Sequence, residues 1–337
     1  MNPSPTETLT GAQIVVRLLE RQGIRRVAGI PGGAILPFYD ALSQSTQIQH
    51  VLARHEQGGG FMAQGMARAT GEVAVCLASS GPGATNLVTA IADAKLDSIP
   101  LVAITGQVPR SMIGTDAFQE VDIYGMSIPI TKHNFLVGSA EELLTVIPQA
   151  FRLAASGRPG PVLIDIPKDV QNQRIEVGAW PEPGRADAVA APNADLVTQA
   201  AAMINAAERP LLYLGGGVVH SGASAQAVEL AEKASLPTVM TLMALGGMPV
   251  DHPLSLGMLG MHGARCTNFA LDECDLLIAV GARFDDRTTG KVAAFCPQAK
   301  IIHIDIDPSE LDKIKTAHVG IRGDVAAVLA QLAPQVK

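Results

Sequence analysis

The chain has 337 residues, 47% hydrophobic and 17% charged, which is enough for a sizeable core and, by length, for two or three domains. A formal net charge of -7 with scattered Lys and Arg argues against a nucleic-acid footprint or a membrane-surface patch. No apolar run reaches membrane-spanning length, no signal pattern opens the sequence, and four cysteines without CxxC spacing fit reduced thiols in a cytoplasmic protein.

In chain order, residues 1–10 are polar and Pro/Thr-rich and read as a flexible N-terminus. Apolar strand and amphipathic helix then alternate, with a helix at 12–20, strand at 27–30, helix at 34–42 and strand at 50–53. A helix from Glu56 to about residue 69 follows, then a strand at 73–78, a helix at 84–95 and a strand at 101–105. Ser139 with Glu142 suggests a capping box for a helix at 140–155, and 161–166 is a strand, apolar except for Asp165. Runs this continuously apolar are buried on both faces, which predicts α/β domains with doubly wound, mainly parallel sheets.

Periodicity vanishes at 176–192, where Trp180-Pro181-Glu182-Pro183-Gly184 marks an interdomain linker between a first domain (11–175) and a second (193–337). In the second, Asn193 caps a helix at 194–207, a strand at 211–214 ends in Gly215-Gly216-Gly217, and a helix is expected at 223–234. Strands follow at 238–242, 275–280 and 300–306, then a helical turn begun by Asp307-Pro308, and a last helix at 325–332.

Strand carboxyl ends in such sheets line a ligand crevice. Pro31-Gly32-Gly33, Glu56, the segment 80–86 (SGPGATN) and Thr105-Gly106-Gln107 all fall at such ends and should share one rim. Alone, each Gly turn is ordinary turn chemistry, and Glu56 reads as an acidic residue favoured in a first helical turn. No GxGxxG or P-loop pattern occurs.

Together these segments resemble the catalytic subunit of the acetohydroxyacid (acetolactate) synthases. The carrying segments are GIPGG (29–33), RHEQG (54–58), SGPGATN (80–86), ITGQVP (104–109), GTDAFQE (114–120), GRPGP (157–161), GMHG (260–263), GARFDDR (281–287) and HIDID (303–307). The resemblance implies a thiamine-diphosphate pyrimidine-binding domain followed by a central FAD-binding domain. By that resemblance Glu56 engages the cofactor's aminopyrimidine, with Gly33 and Gln119 in the catalytic set and Pro31, Gly32 and Asn86 on the cofactor rim. Phe118, Gln119 and Lys168 would meet the 2-oxo acid substrate. FAD would be held by Arg158, Gly215, Gly216, Thr241, Leu242, Met261, His262, Gly263, Gly281, Arg283, Asp285, Arg287, Asp305, Ile306 and Asp324.

The implied reaction decarboxylates pyruvate and transfers its two-carbon unit to pyruvate or 2-oxobutyrate, in branched-chain amino-acid (valine, leucine, isoleucine) biosynthesis. Magnesium would be bound by a Gly-Asp-Gly motif of a third, diphosphate-binding domain. This sequence lacks that motif, so the expectation is a truncated catalytic chain, inactive alone, with no metal ligands of its own. A homodimer or homotetramer, and a small regulatory subunit, are the implied partners; nucleic acid and membrane are not. The alternatives are a non-catalytic FAD-binding scaffold, or a related FAD- and thiamine-diphosphate-dependent enzyme such as pyruvate oxidase.

Overall fold

The structure is a computed structural model that describes residues 6–337, in two compact units, one ending at Ala188 and the other running from Val189 to Lys337. The flexible-N-terminus expectation for residues 1–5 lies outside the described residues. Residues 7–10 differ from it: β1 (Glu7–Thr10) pairs antiparallel with β8 (Arg174–Val177) in a two-stranded sheet. β8 thus claims residues 176 and 177, which the sequence assigned to the linker.

The first unit is built on a parallel sheet of β2 (Arg26–Gly29), β3 (Gln49–Leu52), β4 (Ala74–Ala78), β5 (Leu101–Gln107), β6 (His133–Leu136) and β7 (Pro161–Pro167). Their order is β3-β2-β4-β5-β7-β6. The chain winds outward from β2 to β3 and then returns to β4, so the winding reverses between β2 and β4. A crevice opens at the carboxyl end of such a reversal. β4, β5 and β7 are buried along their whole length. Val75, Leu77, Val102, Ile104, Val162 and Ile164 pack on one face, and Cys76, Ala78, Leu101, Ala103 and Leu163 on the other, the period-two alternation of a covered sheet.

Helix Gly11–Arg21 buries Ile14, Val15, Leu18 and Leu19 and starts with a capping box the sequence reading missed: Gln13 N donates to Thr10 Oγ1, and Thr10 N to Gln13 Oε1. Helix Glu56–Thr70 starts at His55, whose Nδ1 accepts from Gln57 N, and ends at left-handed Gly71. Its run of three glycines costs helix propensity. Close packing accounts for two of them: a Cβ on Gly59 would lie 3.3 Å from Gly29 Cα, and one on Gly60 2.6 Å from Ala90 Cβ.

Two expectations need correction in this unit. The helix expected at 84–95 is two pieces, Pro82–Thr85 and Val88–Leu96. Ser139 and Glu142 do not form a capping box. Glu142 N reaches Ser139 Oγ at a long 3.4 Å, but the Glu142 carboxylate accepts from Gly138 N instead, and the helix runs Leu143–Ala155.

The second unit carries β9 (Pro210–Leu214), β10 (Thr238–Met240), β11 (Ser255–Met258), β12 (Leu276–Val280), β13 (Lys300–Asp305) and β14 (Val319–Arg322). All pair in parallel in the order β11-β10-β9-β12-β13-β14, with the reversal between β9 and β12. Asn193 caps helix Ala194–Ala206 through bonds from Asp195 N and Leu196 N. The helix expected at 223–234 is preceded by a separate short one, Gly216–His220, before Ser224–Lys233. Asp307 organises a turn by accepting from Ser309 N, but no helix follows it. Among the described residues no helix is long and apolar enough to cross a membrane.

Candidate active site and cofactor cradles

In the first unit every expected pyrimidine-side and substrate residue lies at the carboxyl edge of the parallel sheet. Pro31, Gly32 and Gly33 follow β2, Glu56 follows β3, Asn86 follows β4, Phe118 and Gln119 lie in the connection after β5, and Lys168 follows β7. Gly32 and Ser79 close the crevice between β2 and β4: a Cβ on Gly32 would collide with the Ser79 side chain, whose Oγ accepts from Ala34 N at 3.2 Å. Ser79 holds this turn, and the sequence reading passed over it.

The half-buried Glu56 carboxylate is oriented from one side. Asn86 Nδ2 donates to its Oε2 at 2.9 Å. Its Oε1 faces Gly83, where an added Cβ would sit 3.4 Å away. A carboxylate fixed through one oxygen, with the other turned to a residue without a side chain, is arranged to meet a donor from outside the chain. Gly33 has nothing within 4 Å of where a Cβ would stand, so the floor beside the turn is open. Nearby, burial first and then the charge of Glu56 push the Tyr39 hydroxyl pKa up, while Tyr39 Oη lies 3.2 Å from His50 Nε2. Burial lowers the pKa of His50.

The loop after β5 reaches this edge. Gly81, at φ +56, has no room for a Cβ because the Gln119 backbone lies 2.5 Å from that position. Phe118 is 86% exposed at its tip, and Gln119 itself is left-handed at φ +58. Beneath the loop is a buried network the sequence hinted at only through one aspartate in an apolar strand. Asp165 on β7 accepts from Thr105 Oγ1 at 2.7 Å and from Gln107 Nε2 at 3.0 Å. Burial pushes its carboxyl up to about 7, against the hydrogen bonds from Thr105 and Gln107.

Arg158 lies elsewhere: it precedes β7, at the amino edge of the sheet, and its Nε donates to Ser98 Oγ.

In the second unit the remaining expected residues again fall at strand carboxyl ends. Gly215 and Gly216 follow β9, Thr241 and Leu242 follow β10, and Met261, His262 and Gly263 follow β11. Gly281, Arg283, Asp285 and Arg287 follow β12, Asp305 ends β13 with Ile306 after it, and Asp324 follows β14. At the reversal point backbone meets backbone. A Cβ on Gly215 would strike the Gly281 carbonyl, one on Gly217 would lie 2.7 Å from Gly281 Cα, and Gly217 N donates to Gly281 O at 3.0 Å. These glycines let the two turns pack backbone on backbone at the strand ends, and the buried Thr241 Oγ1 makes no hydrogen bond beside them. Both features fit a dinucleotide such as FAD.

Three residues of this group also have local work. Asp285 caps helix Asp286–Thr289 through Arg287 N and Thr288 N, Asp324 caps Val325–Leu332 through Ala327 N, and Asp305 Oδ1 accepts from Asp307 N. Met261, His262 and Arg287 are exposed. Among the described residues no three His, Cys, Asp or Glu gather as a metal site.

Residues 9–126 match the family described as thiamine pyrophosphate enzyme, N-terminal TPP binding domain, and residues 197–332 match thiamine pyrophosphate enzyme, central domain. The chain is 67% identical over 336 residues to the acetolactate synthase isozyme 1 large subunit of Escherichia coli (strain K12), covering 99% of this chain and 59% of that protein. It is 55% identical over 330 residues to an acetolactate synthase of Mycobacterium bovis, covering 97% of this chain and 53% of that protein. With the Escherichia coli isozyme 2 large subunit it shares 53% identity over 324 residues, 96% of this chain and 59% of that protein. The chain therefore spans between half and three-fifths of the length of these relatives.

Proposed function

The chain belongs to the thiamine pyrophosphate enzymes, where it matches the first two domains of acetolactate synthase large subunits, and from that premise we propose that it supplies the pyrimidine-side half of an acetolactate synthase active site. The carrying observation is Glu56 at the sheet's carboxyl edge, held through Oε2 by Asn86 with Oε1 turned toward the buried Gly83. Thiamine diphosphate, when bound, supplies the carbon centre on which pyruvate loses carbon dioxide and from which a two-carbon unit passes to a second 2-oxo acid.

This chain's residues perform the supporting work. Glu56 would share a proton with the ring nitrogen of the aminopyrimidine, and Asn86 keeps that carboxylate from rotating away. Pro31 and Gly32 shape the turn at the crevice, and Gly33 leaves the space beside it free of a side chain. Phe118 gives the substrate an apolar contact, Gln119 a hydrogen-bonding amide, and Lys168 a cation for the 2-oxo acid carboxylate.

In the second unit Gly215–Gly217 and Gly281 would hold the FAD pyrophosphate, with Arg283 and Arg287 as neutralising charges and Thr241 as a hydrogen-bonding group. In this reading FAD is structural, magnesium is bound by residues outside the two units, and the chain works as a homodimer or homotetramer in the cytoplasm. The relatives' printed designation, large subunit, supports a smaller regulatory companion.

Calorimetric titration of the chain with thiamine diphosphate and magnesium, beside an acetolactate assay with pyruvate and FAD, tests the reading. Glu56→Gln should weaken cofactor binding and abolish any turnover while leaving the unfolding midpoint in place. Equal thiamine diphosphate binding by the wild type and Glu56→Gln would overturn the assignment.

A further inference from the structure

The connection between β5 and helix Ile123–Ser127 is long, exposed and almost without apolar anchoring, yet it carries Phe118 and Gln119 to the crevice. Its first root is clamped by an ion pair: Arg110 N and Nε donate to the Asp169 carboxylate at 3.0 and 2.7 Å, and its Nη1 donates to Gly138 O. At the far root Asp122 Oδ1 accepts from Gly125 N, and the link back to the sheet comes from Gln107.

Gln107 ends β5 and is buried. Thr105 and Gln107, two residues apart on one strand, point to the same face, and the β5–β7 register sets Thr105 directly beside Asp165. A carboxylate 1% exposed in an apolar sheet is costly unless its oxygens are engaged. Thr105 takes Oδ1 and Gln107 takes Oδ2. That much satisfies the core. Gln107 Nε2 is also 3.0 Å from Val121 O, and its Oε1 accepts from Val108 N at 2.9 Å. One carboxamide therefore holds both ends of the loop, with Asp165 fixing its rotamer.

We propose that Gln107 is a positioning residue that, oriented by Asp165, ties the returning root of the 108–122 loop to β5 and so sets where Phe118 and Gln119 meet the 2-oxo acid. The proposal rests on the substrate side assigned above. It adds a residue that touches neither substrate nor cofactor.

Amide hydrogen exchange on the chain alone tests the tether without any turnover. Gln107→Met removes the carboxamide at similar length. Gln107→Glu keeps the side-chain length but removes the N–H that reaches Val121 O. Both should speed exchange at Glu120 and Ile123, the protected amides of the far root, by about tenfold, with β5 and β7 unchanged. Thr105→Val, which removes Asp165's other partner, should leave the loop as in the wild type.

Unchanged loop exchange in both Gln107 variants would overturn the proposal. So would a rise shared with β5 and β7, or one matched by Thr105→Val. In any preparation that forms acetolactate, Gln107→Met should raise KM for pyruvate about tenfold with kcat nearly unchanged, and a fall in kcat alone would also overturn it. A wild-type chain that binds no thiamine diphosphate would sink the proposed function, while exchange would still decide the tether.

Discussion

Gly281 gives the sharpest stability prediction, because two separable penalties meet there. Its φ of +59 lies in the left-handed region, where a side chain costs about 1–2 kcal/mol. A Cβ would also stand 2.6 Å from Gly217 Cα and 3.0 Å from Gly217 C, backbone atoms that cannot rotate away. Forcing them apart strains the bonds from Gly217 N to Gly281 O and from Gly281 N to Ile304 O, and overpacking of this kind costs about 1–3 kcal/mol.

Gly281→Ala should therefore destabilise the second unit by roughly 2–5 kcal/mol, a large part of an ordinary domain's stability. Gly222, at φ +67 with nothing within 4 Å of its missing Cβ, is the control: Gly222→Ala incurs only the conformational cost of about 1–2 kcal/mol. Guanidinium unfolding followed by far-UV circular dichroism reads both units, whereas Trp180 fluorescence follows the first. Equal destabilisation by the two substitutions would refute the contact with Gly217 as the second penalty. A flavin titration of Gly281→Ala under folding conditions would then ask whether the same closeness serves the cradle.

Asp165 ties stability to pH. Its carboxyl is pushed up to about 7 in the fold against 3.8 as a free group, so the folded chain holds the extra proton between those values and loses stability as pH rises through that window. The full effect is roughly 4 kcal/mol by pH 8, and Asp165→Asn should flatten this part of the pH profile; urea midpoints at pH 5 and 8 that differ equally in both proteins would rule it out. Gly60→Ala should cost about 1–3 kcal/mol despite improved helix propensity, because its Cβ meets that of Ala90; a thermal midpoint at or above wild type would show that the helix shifts freely. Asn193→Ala removes the acceptor for two helix amides and should cost about 1 kcal/mol, read as a shift in denaturant midpoint at constant slope.

What the sequence made legible follows from range. Both parallel sheets could be read because β4, β9 and β12 are apolar runs and β5 and β7 are apolar apart from Thr105, Gln107 and Asp165, and the crevice could be read because glycine-bearing turns follow several of them. β1 and β8 escaped notice because each is only four residues long: β1 is mostly polar, and the polar–apolar alternation of Arg174-Ile175-Glu176-Val177 is too short to stand out. The helix at 84–95 was expected whole because propensity does not register a break; in the fold, Leu87 N bonds back to Ala84 O and Asn86 is directed to a carboxylate thirty positions earlier. The roles of Glu56 and Asn86 came from resemblance, and their contact came from the fold. The Asp165 network was opaque for the same reason, since Thr105 and Gln107 lie 60 and 58 positions away. Only the strand register makes them neighbours.

The small sheet of β1 and β8 sets an order of events in synthesis. Glu7 pairs with Val177, and Thr10 with Arg174, so β1 leaves the ribosome well before the partner strand that completes its pairing. Contacts of such sequence separation form late, after the loop they close has been condensed by its own core. The early strand must wait unpaired while β2 to β7 emerge, and its polar composition, Glu7-Thr8-Leu9-Thr10, suits that wait by offering little for a neighbouring chain to bind.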